Sequence, residues 1–374
     1  MNSMLGLIFA YRAYKDLREL AEPRIAASLP FGGRYRAIDF CLSNMVNAGV
    51  TDVGVIMRDS YQSLMDHLGS GKDWDLSRKN GGLFLLPPYS YGGPRVKNTG
   101  APFGGKLDAL AGIVSYIEHS REEYVVMADG DCITNIALSD VLAAHIGNNA
   151  DITAVCTRKF CGMPEYTLYF GIGSDGRICR VDSGMATVGA NESLGIFILK
   201  RQLLLDMIRS GHAADEAHFE RGVLRAALPN LRVMPYYHNG YIARNQNVAA
   251  YFANTMKLLQ PEVRADLFNV KNPVRTRIRD DAPAFYSNDA VVTNSMITEG
   301  CRIEGRVENS ILFRNVYVAP GAVVRNSIIL QEGSIGAGAE IDCVIADKRV
   351  TLRENIRLKG EREYPVVIAK NAKV

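Results

Sequence analysis

Two aspartates at the end of a short apolar run are the residues of this sequence best suited to chemistry. Tyr124-Val125-Val126-Met127-Ala128 has the composition of a buried strand, and Asp129-Gly130-Asp131 follows it directly. In open α/β sheets, ligands bind at the carboxyl ends of the strands. A carboxylate at that point is well placed to contact a metal ion or a phosphate. The structural alternative is that Asp131 only caps the turn that follows the strand.

The loop after the first apolar strand lacks the glycines that a phosphate-binding turn needs. The strand is Leu5 to Ala10, and Tyr11-Arg12-Ala13-Tyr14-Lys15-Asp16-Leu17 follows it. Without glycine, the backbone cannot easily come close to a phosphate. The sequence therefore indicates either an enzyme with an altered site or a relative of enzymes that has lost its activity.

The elements that must position these residues form an alternating pattern over the first 260 residues or so. Short apolar runs alternate with helical patterns, which predicts an α/β sheet with helices on both faces. Strands are predicted at 4–10, 52–57, 124–128, 151–156, 167–172 and 193–199, and helices at 37–49, 60–68, 106–119, 138–147, 200–210 and 247–259. Residues 261–284 are richer in Pro, Asp and Arg, and we interpret them as a linker.

The pattern changes after the linker. A small polar pair followed by two aliphatic residues recurs at steps of 15, 17 and 16 residues, in the segments Asn294–Ile297, Asn309–Leu312, Asn326–Ile329 and Asp342–Ile345. One such unit per coil is typical of a parallel β-helix, in which aliphatic residues stack inside the coils. The alternative, an antiparallel sandwich, would not need a fixed spacing. We therefore predict a β-helix over residues 285–374.

Length and composition exclude several classes of protein. At 374 residues, the chain is too long for one typical core, so two domains are expected. The net charge of +3 is too balanced for nucleic acid to be the main partner. No apolar stretch approaches the roughly 20 residues of a membrane span, and the N-terminus does not have the pattern of a signal peptide. Seven scattered cysteines without a CxxC pair indicate reduced thiols in a cytoplasmic protein.

Several motifs together resemble the sugar-nucleotide pyrophosphorylases, and among them the glucose-1-phosphate adenylyltransferase (ADP-glucose pyrophosphorylase) family. The main one is Pro30 to Asn44, PFGGRYRAIDFCLSN; the others are Ser63–Leu68, Leu85–Pro87, Asp108–Ala109, Gly130–Asp131, Ser193–Phe197 and the repeats above. The resemblance covers nearly the whole chain. It implies a Rossmann-like (GT-A type) nucleotidyltransferase domain over 1–260 and a left-handed β-helix over 285–374. The family enzyme makes ADP-glucose and pyrophosphate from ATP and glucose 1-phosphate with Mg²⁺, as the first step of glycogen synthesis.

The same resemblance implies that the catalytic residues of the family are missing here. The glycines of the family's nucleotide loop fall on Tyr11, Arg12 and Tyr14. The other losses are the arginine for the leaving pyrophosphate, the catalytic lysine, the sugar-phosphate clamp and the second metal-binding aspartate, which fall on Asp16, Ala26, Gly184 and Arg244. A cation in place of a carboxylate is hostile to Mg²⁺, which prefers oxygen ligands.

A remnant of the nucleotide and sugar pocket is expected at Asp108, Asp131 and Gly195, with Asp131 as the single retained metal ligand position. Arg24 and Arg36 keep positions that the family uses for anionic effectors, and Arg34 lies near them. The C-terminal basic residues Arg353, Arg357, Lys359 and Arg362 are expected to approach the same place. The alternative is a solvated basic face that pairs with nearby acids such as Asp39.

The losses occur together while the scaffold motifs between them stay intact, so the chain resembles a GlgD-type subunit. The resemblance implies a regulatory, catalytically deficient protein that needs no cofactor and assembles with a catalytic GlgC-type subunit, as a tetramer. It also implies a small anionic effector. Two alternatives remain open at this stage: a weakly active enzyme in which Lys15 or Lys106 replaces the lost basic groups, and a stand-alone sensor of a sugar nucleotide or anion.

Overall fold

The computed structural model describes residues 3–58, 60–87, 104–186 and 189–374. The strands before the repeats are β1 Met4–Ala10, β2 Pro30–Phe31, β3 Tyr35–Arg36, β4 Asp52–Met57, β5 Gly82–Leu86, β6 Tyr124–Asp129, β7 Cys132–Thr134, β8 Ile152–Thr157, β9 Leu168–Ile172, β10 Ile178–Ser183, β11 Asn191–Lys200, β12 Val233–Tyr237 and β13 Ile242–Arg244. The helices are α1 Ala37–Asn47, α2 Gln62–Leu68, α3 Lys106–Ala111, α4 Val114–His119, α5 Leu138–Gly147, α6 Arg201–Ala213, α7 Arg225–Ala227, α8 Val248–Met256 and α9 Pro261–Leu267.

A mixed sheet forms the centre of the first domain. Its strand order is β10-β9-β11-β6-β1-β4-β5, and β8 pairs with β11 and β12. Strand β1 runs parallel to both of its neighbours, β4 and β6, while β11 is antiparallel to β6. Alternate residues of β1 point to opposite faces. Ile8 therefore packs in one apolar cluster, and Leu7 and Phe9 pack in another. Every residue of β1 is buried, which explains its continuous apolar composition.

The predicted strands and helices are present, with local differences. The single helix expected over 106–119 is two helices, α3 and α4, because the chain departs from helical geometry at Ile113, where φ is −120° and ψ is 16°. The expected linker begins with helix α9, which has Pro261 at its first turn, a position that tolerates the missing N–H of proline. Directly after α9, Phe268 stacks on Tyr35 with ring centroids 5.1 Å apart. The start of this segment is thus part of the first domain.

Three all-parallel sheets of five strands each form the second domain, and each coil adds one strand to every sheet. The strands are β14 Phe285–Tyr286, β15 Val291–Thr293, β16 Met296–Ile297, β17 Arg302–Ile303, β18 Arg306–Glu308, β19 Ile311–Leu312, β20 Tyr317–Val318, β21 Val323–Arg325, β22 Ile328–Ile329, β23 Ser334–Ile335, β24 Glu340–Asp342, β25 Val344–Ala346, β26 Thr351–Leu352, β27 Arg357–Lys359 and β28 Val366–Ile368. This arrangement confirms the predicted left-handed β-helix that follows a nucleotidyltransferase domain.

The recurring polar pair has a structural role at one corner of the first three coils. The first member, Asn294, Asn309 or Asn326, has a positive φ of 43–45°, which asparagine tolerates better than most residues. The second member is a serine that bridges adjacent coils, since the Oγ of Ser310 accepts the N–H of Ser327 at 3.1 Å. The first three units thus form a hydrogen-bonded ladder, but the fourth, Asp342–Ile345, was placed one residue too early, because Ile328 pairs with Ile345 and Cys343 has the positive φ.

The sheet made of β16, β19, β22, β25 and β28 faces the first domain. Its outward side chains, among them Ile311, Ile328 and Ile345, belong to the same apolar cluster as Phe31 and Phe40 of the first domain. The junction between the two domains is therefore a continuous hydrophobic core. Among the described residues, no helix is both long enough and apolar enough to cross a membrane.

Candidate functional site

The two sequence features that suggested chemistry meet at one edge of the central sheet. Strands β1 and β6 are parallel neighbours, with Phe9 opposite Asp129, so both strands end at the same edge. The N–H of Gly130 donates to the carbonyl of Phe9 over 3.0 Å, which keeps the two loops together. The loop Tyr11–Tyr14 therefore lies beside Asp129 and Asp131.

The side chain of Tyr14 is bound to Asp131. The phenol of Tyr14 donates a short hydrogen bond to Asp131 Oδ2, and both side chains are buried. The ring of Tyr14 also packs edge-on against Tyr166, with centroids 4.9 Å apart. Burial, and then the charge of Asp131, raise the pKa of Tyr14 well above its usual value, so the phenol remains a donor at neutral pH. The one retained metal-ligand position is thus bound by a side chain of the chain itself.

Asp129, which the sequence did not single out from its neighbour, is held by two cations. Arg12 Nη2 lies 3.1 Å from its Oδ2, and Lys106 Nζ lies 3.0 Å from its Oδ1. Burial would raise the pKa of Asp129, but the charges of Arg12, Lys106 and Arg244 outweigh burial and hold the pKa below its ordinary value. The carboxylate therefore stays ionised and neutralised from within the protein.

Lys106 is the first residue of helix α3, and its side chain is almost fully buried. In addition to Asp129, it forms a short ion pair with Glu220, and its ammonium lies 4.8 Å from the ring centroid of Phe9. Burial acts to lower the pKa of Lys106, but the two carboxylates reverse the effect and raise it above the usual lysine value. The ammonium of Lys106 therefore contacts groups of the protein itself and not a ligand.

Arg244 reaches the same place from a different part of the chain. Strand β13 pairs with β7 so that Arg244 lies opposite Cys132, the residue after Asp131. Its Nη2 donates to the carbonyl of Ser193 over 2.9 Å, and its Nε lies 3.7 Å from Glu192 Oε1. Burial acts to lower the pKa of Arg244. The neighbouring negative charges outweigh burial and raise the pKa above its usual value. A permanent cation therefore stands beside both aspartates.

Gly195 is required by the backbone beside Asp129. Its φ is +70°, and a Cβ added there would lie 2.1 Å from Asp129 Oδ2. Asp108, by contrast, is exposed, and its Oδ2 accepts the N–H of Gly104 over 2.9 Å, in the turn before helix α3. Of the three residues expected in a remnant pocket, Asp131 and Gly195 contribute to the cluster at the sheet edge. The described contact of Asp108 is local.

The other substituted family positions have different surroundings. Ala26 is buried, and its N–H donates to the carbonyl of Arg12 over 3.0 Å, which helps to hold the loop. Asp16 is exposed and hydrogen-bonds to Tyr166. Gly184 is partly exposed, with a φ of +94° and open space where a Cβ would be. Only Ala26 and Arg244 of the four thus touch the residues around Asp129 and Asp131.

These residues do not fit a magnesium ion. Mg²⁺ needs several oxygen ligands in near-octahedral geometry. Asp131 already accepts the phenol of Tyr14, and Asp129 is paired with Arg12 and Lys106. Across residues 3–58, 60–87, 104–186 and 189–374, no group of three or more His, Cys, Asp or Glu side chains is placed to hold a metal ion. The cavity lined by Asp129, Cys132 and Asn44 is about 10 Å³, which is far smaller than a nucleotide.

A second cluster of charged residues lies at the junction of the domains. Arg24 is 2% exposed, and its Nη2 lies 2.9 Å from both carboxylate oxygens of Asp347, in the loop after β25. Arg36 donates to Ser28 Oγ over 2.5 Å and to the backbone of Ser63. The arginines Arg24 and Arg36 thus lie together, as the sequence predicted, but Arg24 is already paired with a carboxylate.

The positive charge at this junction is only partly neutralised. Burial lowers the pKa of Arg36 to about 10 against the opposing charge of Asp39, and Arg24, Arg277 and Arg279 act in the same direction as burial. Burial, together with the charges of Arg36 and Arg24, lowers the pKa of Lys348 to about 6. Lys348 was missed from the sequence because it has no motif of its own. It follows Asp347, the partner of Arg24.

Three of the other basic residues expected near this cluster have contacts or positions elsewhere in the structure. Arg34 pairs with Glu299 at 3.2 Å on the surface, and no described contact joins it to Arg24 or Arg36. Arg357 and Lys359 belong to the sheet of β15, β18, β21, β24 and β27, which is not the sheet that faces the first domain. Arg357 pairs there with Glu340 at 3.3 Å. The basic residue that the β-helix does bring to the junction is Lys348, which follows the Asp347 partner of Arg24.

Fold and site together define a nucleotidyltransferase domain with an internally neutralised site, joined to a hexapeptide-type β-helix. A nucleotidyl transferase family model matches residues 15–167, and a GlmU-like C-terminal hexapeptide model matches residues 283–363. The first match begins directly after the Tyr11–Tyr14 segment.

Comparison with curated proteins is more specific. The chain is 33% identical to the glycogen biosynthesis protein GlgD of Bacillus subtilis and 38% identical to that of Geobacillus stearothermophilus, each over 99% of this chain and 96% of the relative. It is 31% identical to the glucose-1-phosphate adenylyltransferase of Pseudothermotoga lettingae, over 87% of this chain and 77% of the relative. The chain therefore belongs to the family that contains the glucose-1-phosphate adenylyltransferases and the GlgD proteins.

Proposed function

We propose that this protein acts in glycogen biosynthesis as a regulatory, catalytically deficient subunit of ADP-glucose pyrophosphorylase, and that it modulates a catalytic GlgC-type subunit. The observation that carries the proposal is the edge of the central sheet where β1 and β6 end. The charged side chains there are bound to other groups of the same chain. Tyr14 binds Asp131, Arg12 and Lys106 bind Asp129, and Arg244, opposite Cys132, contacts Glu192 and Ser193. The names of the GlgD relatives support the role in glycogen biosynthesis.

The physical argument concerns what a triphosphate and its metal would have to displace. Transfer of an adenylyl group needs preorganised positive charge around the phosphates and a metal held by carboxylates. Here the cations and carboxylates neutralise each other in a buried cluster, where breaking an ion pair is costly. Removal of one transition-state contact typically costs about 10²–10³ in rate, so the loss of several should reduce turnover by at least about 10⁴-fold.

The test is to measure ADP-glucose formation by this chain alone, by a catalytic GlgC-type subunit alone, and by the two mixed. We expect no significant turnover by the chain alone, and a mixture whose affinity for substrate or maximal rate differs from that of the catalytic subunit. A coupling free energy of about 1–3 kcal/mol would change an affinity by roughly 5- to 150-fold. Turnover by the isolated chain near the catalytic subunit's rate would refute the proposal, and a mixture that behaves as the sum of its parts would favour a stand-alone sensor.

The metal supplies a second test. Calorimetric titration with ATP and Mg²⁺ should show weak binding or none. Replacement of Tyr11, Arg12 and Tyr14 by glycine should not restore activity, because Arg244 and Ala26 remain. Tight, metal-dependent binding of ATP to the unaltered chain would mean that the cluster opens readily and that the site is not self-occupied in solution.

A weakly active enzyme that uses Lys15 or Lys106 is less well supported. Lys106 is buried between two carboxylates, and Lys15 is exposed at the start of a short 3₁₀ helix, Lys15–Leu20. If Lys106 had a catalytic role, Lys106→Met would abolish any residual turnover while the protein stayed folded. A loss of folded protein instead would agree with the structural role of its ion pairs.

The junction cluster supports a site for a small anion as the effector of this subunit. Buried Arg36 stays charged at neutral pH, and burial beside Arg24 and Arg36 keeps Lys348 from gaining its proton, so a phosphate or sulfate would stabilise the positive charge of both residues. The experiment is to titrate the chain with inorganic phosphate, a sugar bisphosphate and sulfate in a calorimeter. Arg36→Met should weaken binding, whereas Arg34→Met should not, because Arg34 pairs with Glu299. Equal binding to all three proteins would exclude this site.

A further inference from the structure

A segment that follows helix α6 closes over the start of helix α3. We call this segment, residues 214–224, the strap. The N–H groups of Leu107 and Asp108 donate to the carbonyl of Ala217, over 2.9 and 3.4 Å. Gly105 allows this close contact, because a Cβ added there would lie 2.4 Å from the same carbonyl oxygen. The strap is therefore packed tightly against the first turn of α3.

The strap contains a π-helix, Phe219–Leu224, whose first two residues are buried. Phe219 packs edge-on against Phe197, with ring centroids 5.6 Å apart. Glu220 is 7% exposed and forms the short ion pair with Lys106. Single π-helical turns are rare and occur frequently at functional sites. The strap therefore brings a carboxylate to the edge of the central sheet where β1 and β6 end.

The carboxylate of the strap balances the charge beside Asp129. Arg12 and Lys106 both contact Asp129, so a second carboxylate is needed to neutralise the two cations. The ammonium of Lys106 otherwise faces an aromatic ring, since it lies 4.8 Å from the centroid of Phe9. Without Glu220, one of the two cations would lack a carboxylate of its own. A buried charge without a partner is costly, and an anion that paired with it would be stabilised.

The other carboxylates near this edge have separate partners. Asp131 accepts the phenol of Tyr14, and Glu192 Oε1 lies 3.7 Å from Arg244. Among the described contacts, neither carboxylate reaches the ammonium that Glu220 binds. The negative charge supplied by the strap is therefore not duplicated by these residues.

We propose that the strap is an internal inhibitor of anion binding, in which the carboxylate of Glu220 takes the place of an anionic ligand on Lys106. A polyphosphate that approached Lys106 would meet the negative charge of Glu220, and like charges at such a contact oppose binding strongly. The strap thus keeps polyphosphates from the edge of the sheet, although two cations lie there. This inference rests on the proposed function, because it explains what excludes phosphates from the site of a catalytically deficient subunit.

The experiment is a calorimetric titration of the full chain with inorganic tripolyphosphate in the absence of metal. Every protein titrated also carries Arg36→Met, so that an anion bound at the junction of the domains does not contribute. Glu220→Gln keeps an oxygen that can accept from Lys106, but it removes the negative charge. We expect Glu220→Gln to bind tripolyphosphate at least about 10-fold more tightly than the protein in which Glu220 is intact.

Glu216→Gln is the matched control. Glu216 also belongs to the strap, but its Oε1 accepts the N–H of His218 at 2.8 Å, so this change should not create binding. Lys106→Met combined with Glu220→Gln should abolish the binding that Glu220→Gln creates. The proposal is overturned if Glu220→Gln binds no more tightly than its parent, if Glu216→Gln gains the same binding, or if the combined variant keeps it.

Hydrogen exchange of the unaltered chain tests the strap if Glu220→Gln fails to fold. The amides of Leu107 and Asp108 should exchange slowly, and an excess of tripolyphosphate should not change their rates. Fast exchange of both amides, or faster exchange when tripolyphosphate is added, would mean that the strap opens to the anion, and would overturn the proposal. ADP-glucose formation is measured separately. Turnover by the isolated chain would refute the proposed function, whereas a failure to create binding would refute the role of the strap alone.

Discussion

Replacement of Arg24 by methionine should destabilise the protein strongly, because it leaves Asp347 without its partner. Arg24 and Asp347 are 2% and 0% exposed, and the guanidinium lies 2.9 Å from both oxygens of the carboxylate. Removal of one partner from a buried ion pair costs about 3–5 kcal/mol, since the remaining charge stays buried. Asp347 Oδ1 keeps the N–H of Lys348 at 2.7 Å, which is too little to compensate for a full charge.

The magnitude can be converted to a melting temperature. The entropy of unfolding is about 2.1 cal/mol/K per residue, or roughly 0.8 kcal/mol/K for a chain of this length that unfolds as one unit. A loss of about 3–5 kcal/mol therefore lowers Tm by roughly 4–6 °C. Calorimetry and urea unfolding of the same samples would measure the change. A continuous core across the junction makes unfolding as one unit the expected behaviour.

A double-mutant cycle separates the pair from its surroundings. Asp347→Leu alone should also destabilise the protein, whereas Arg24→Met with Asp347→Leu should recover most of the loss, because neither charge is then buried alone. Arg34→Met is the matched control. Arg34 pairs with Glu299 at 3.2 Å but is 45% exposed, so its loss should cost less than about 1 kcal/mol. A cost below about 1 kcal/mol for Arg24→Met, or strictly additive effects in the cycle, would refute the reasoning.

Three further predictions concern the two sites and the β-helix. Sulfate has a constant charge near neutral pH, and it should bind the junction more tightly as the pH falls from 8 to 6. The reason is that Lys348, with its pKa lowered to about 6, gains its proton only in this range. Lys348→Met should remove this pH dependence in calorimetric titrations. Gly195→Ala should lower the melting temperature by several degrees, since its Cβ would meet Asp129 at 2.1 Å with φ at +70°; an unchanged melting temperature would contradict this account. Ser327→Ala should cost about 1–3 kcal/mol in urea unfolding, because a buried N–H loses its acceptor, whereas Ser295→Ala, in the open first coil, should cost clearly less.

The pH dependence of stability has the same cause. Burial and the charges of Arg36 and Arg24 depress the pKa of Lys348 in the folded protein from its ordinary value of 10.5 to about 6. Between these values the unfolded chain binds a proton that the folded protein does not bind. The contribution of this group to stability therefore becomes less favourable as the pH falls through that window, and it is constant below about 6. Anion binding at the junction should offset this loss.

Local patterns in the sequence were sufficient for much of the fold. Strand β1 and helix α5 were predicted within a residue or less of their bounds, because continuous burial and helical periodicity leave a local signal. The β-helix followed from its repeat, since each coil places the same residue types at the same corner. By contrast, the break between α3 and α4 and the helix α9 in the expected linker depend on packing, which the pattern does not encode.

The candidate site was predicted only in part. Asp131 and Arg244 were expected at one place from the resemblance, and the pairing of β7 with β13 brings them together. Asp129 was not singled out, although it is two residues from Asp131 and makes more ion pairs. Glu220 gave no signal, because its partner Lys106 is 114 residues away along the chain.

The sequence by itself determined the two-domain architecture, the order of the main elements and the absence of a glycine-rich loop after β1. These properties depend on residue type and on spacing over a few residues. Only the tertiary structure decided that the loop closes on the site, with Tyr14 on Asp131 across 117 positions, and that Arg24 is neutralised by Asp347 across 323 positions. The physical reason is that the state of a buried charge depends on which partner the fold brings within about 3–4 Å, and no local pattern records that partner.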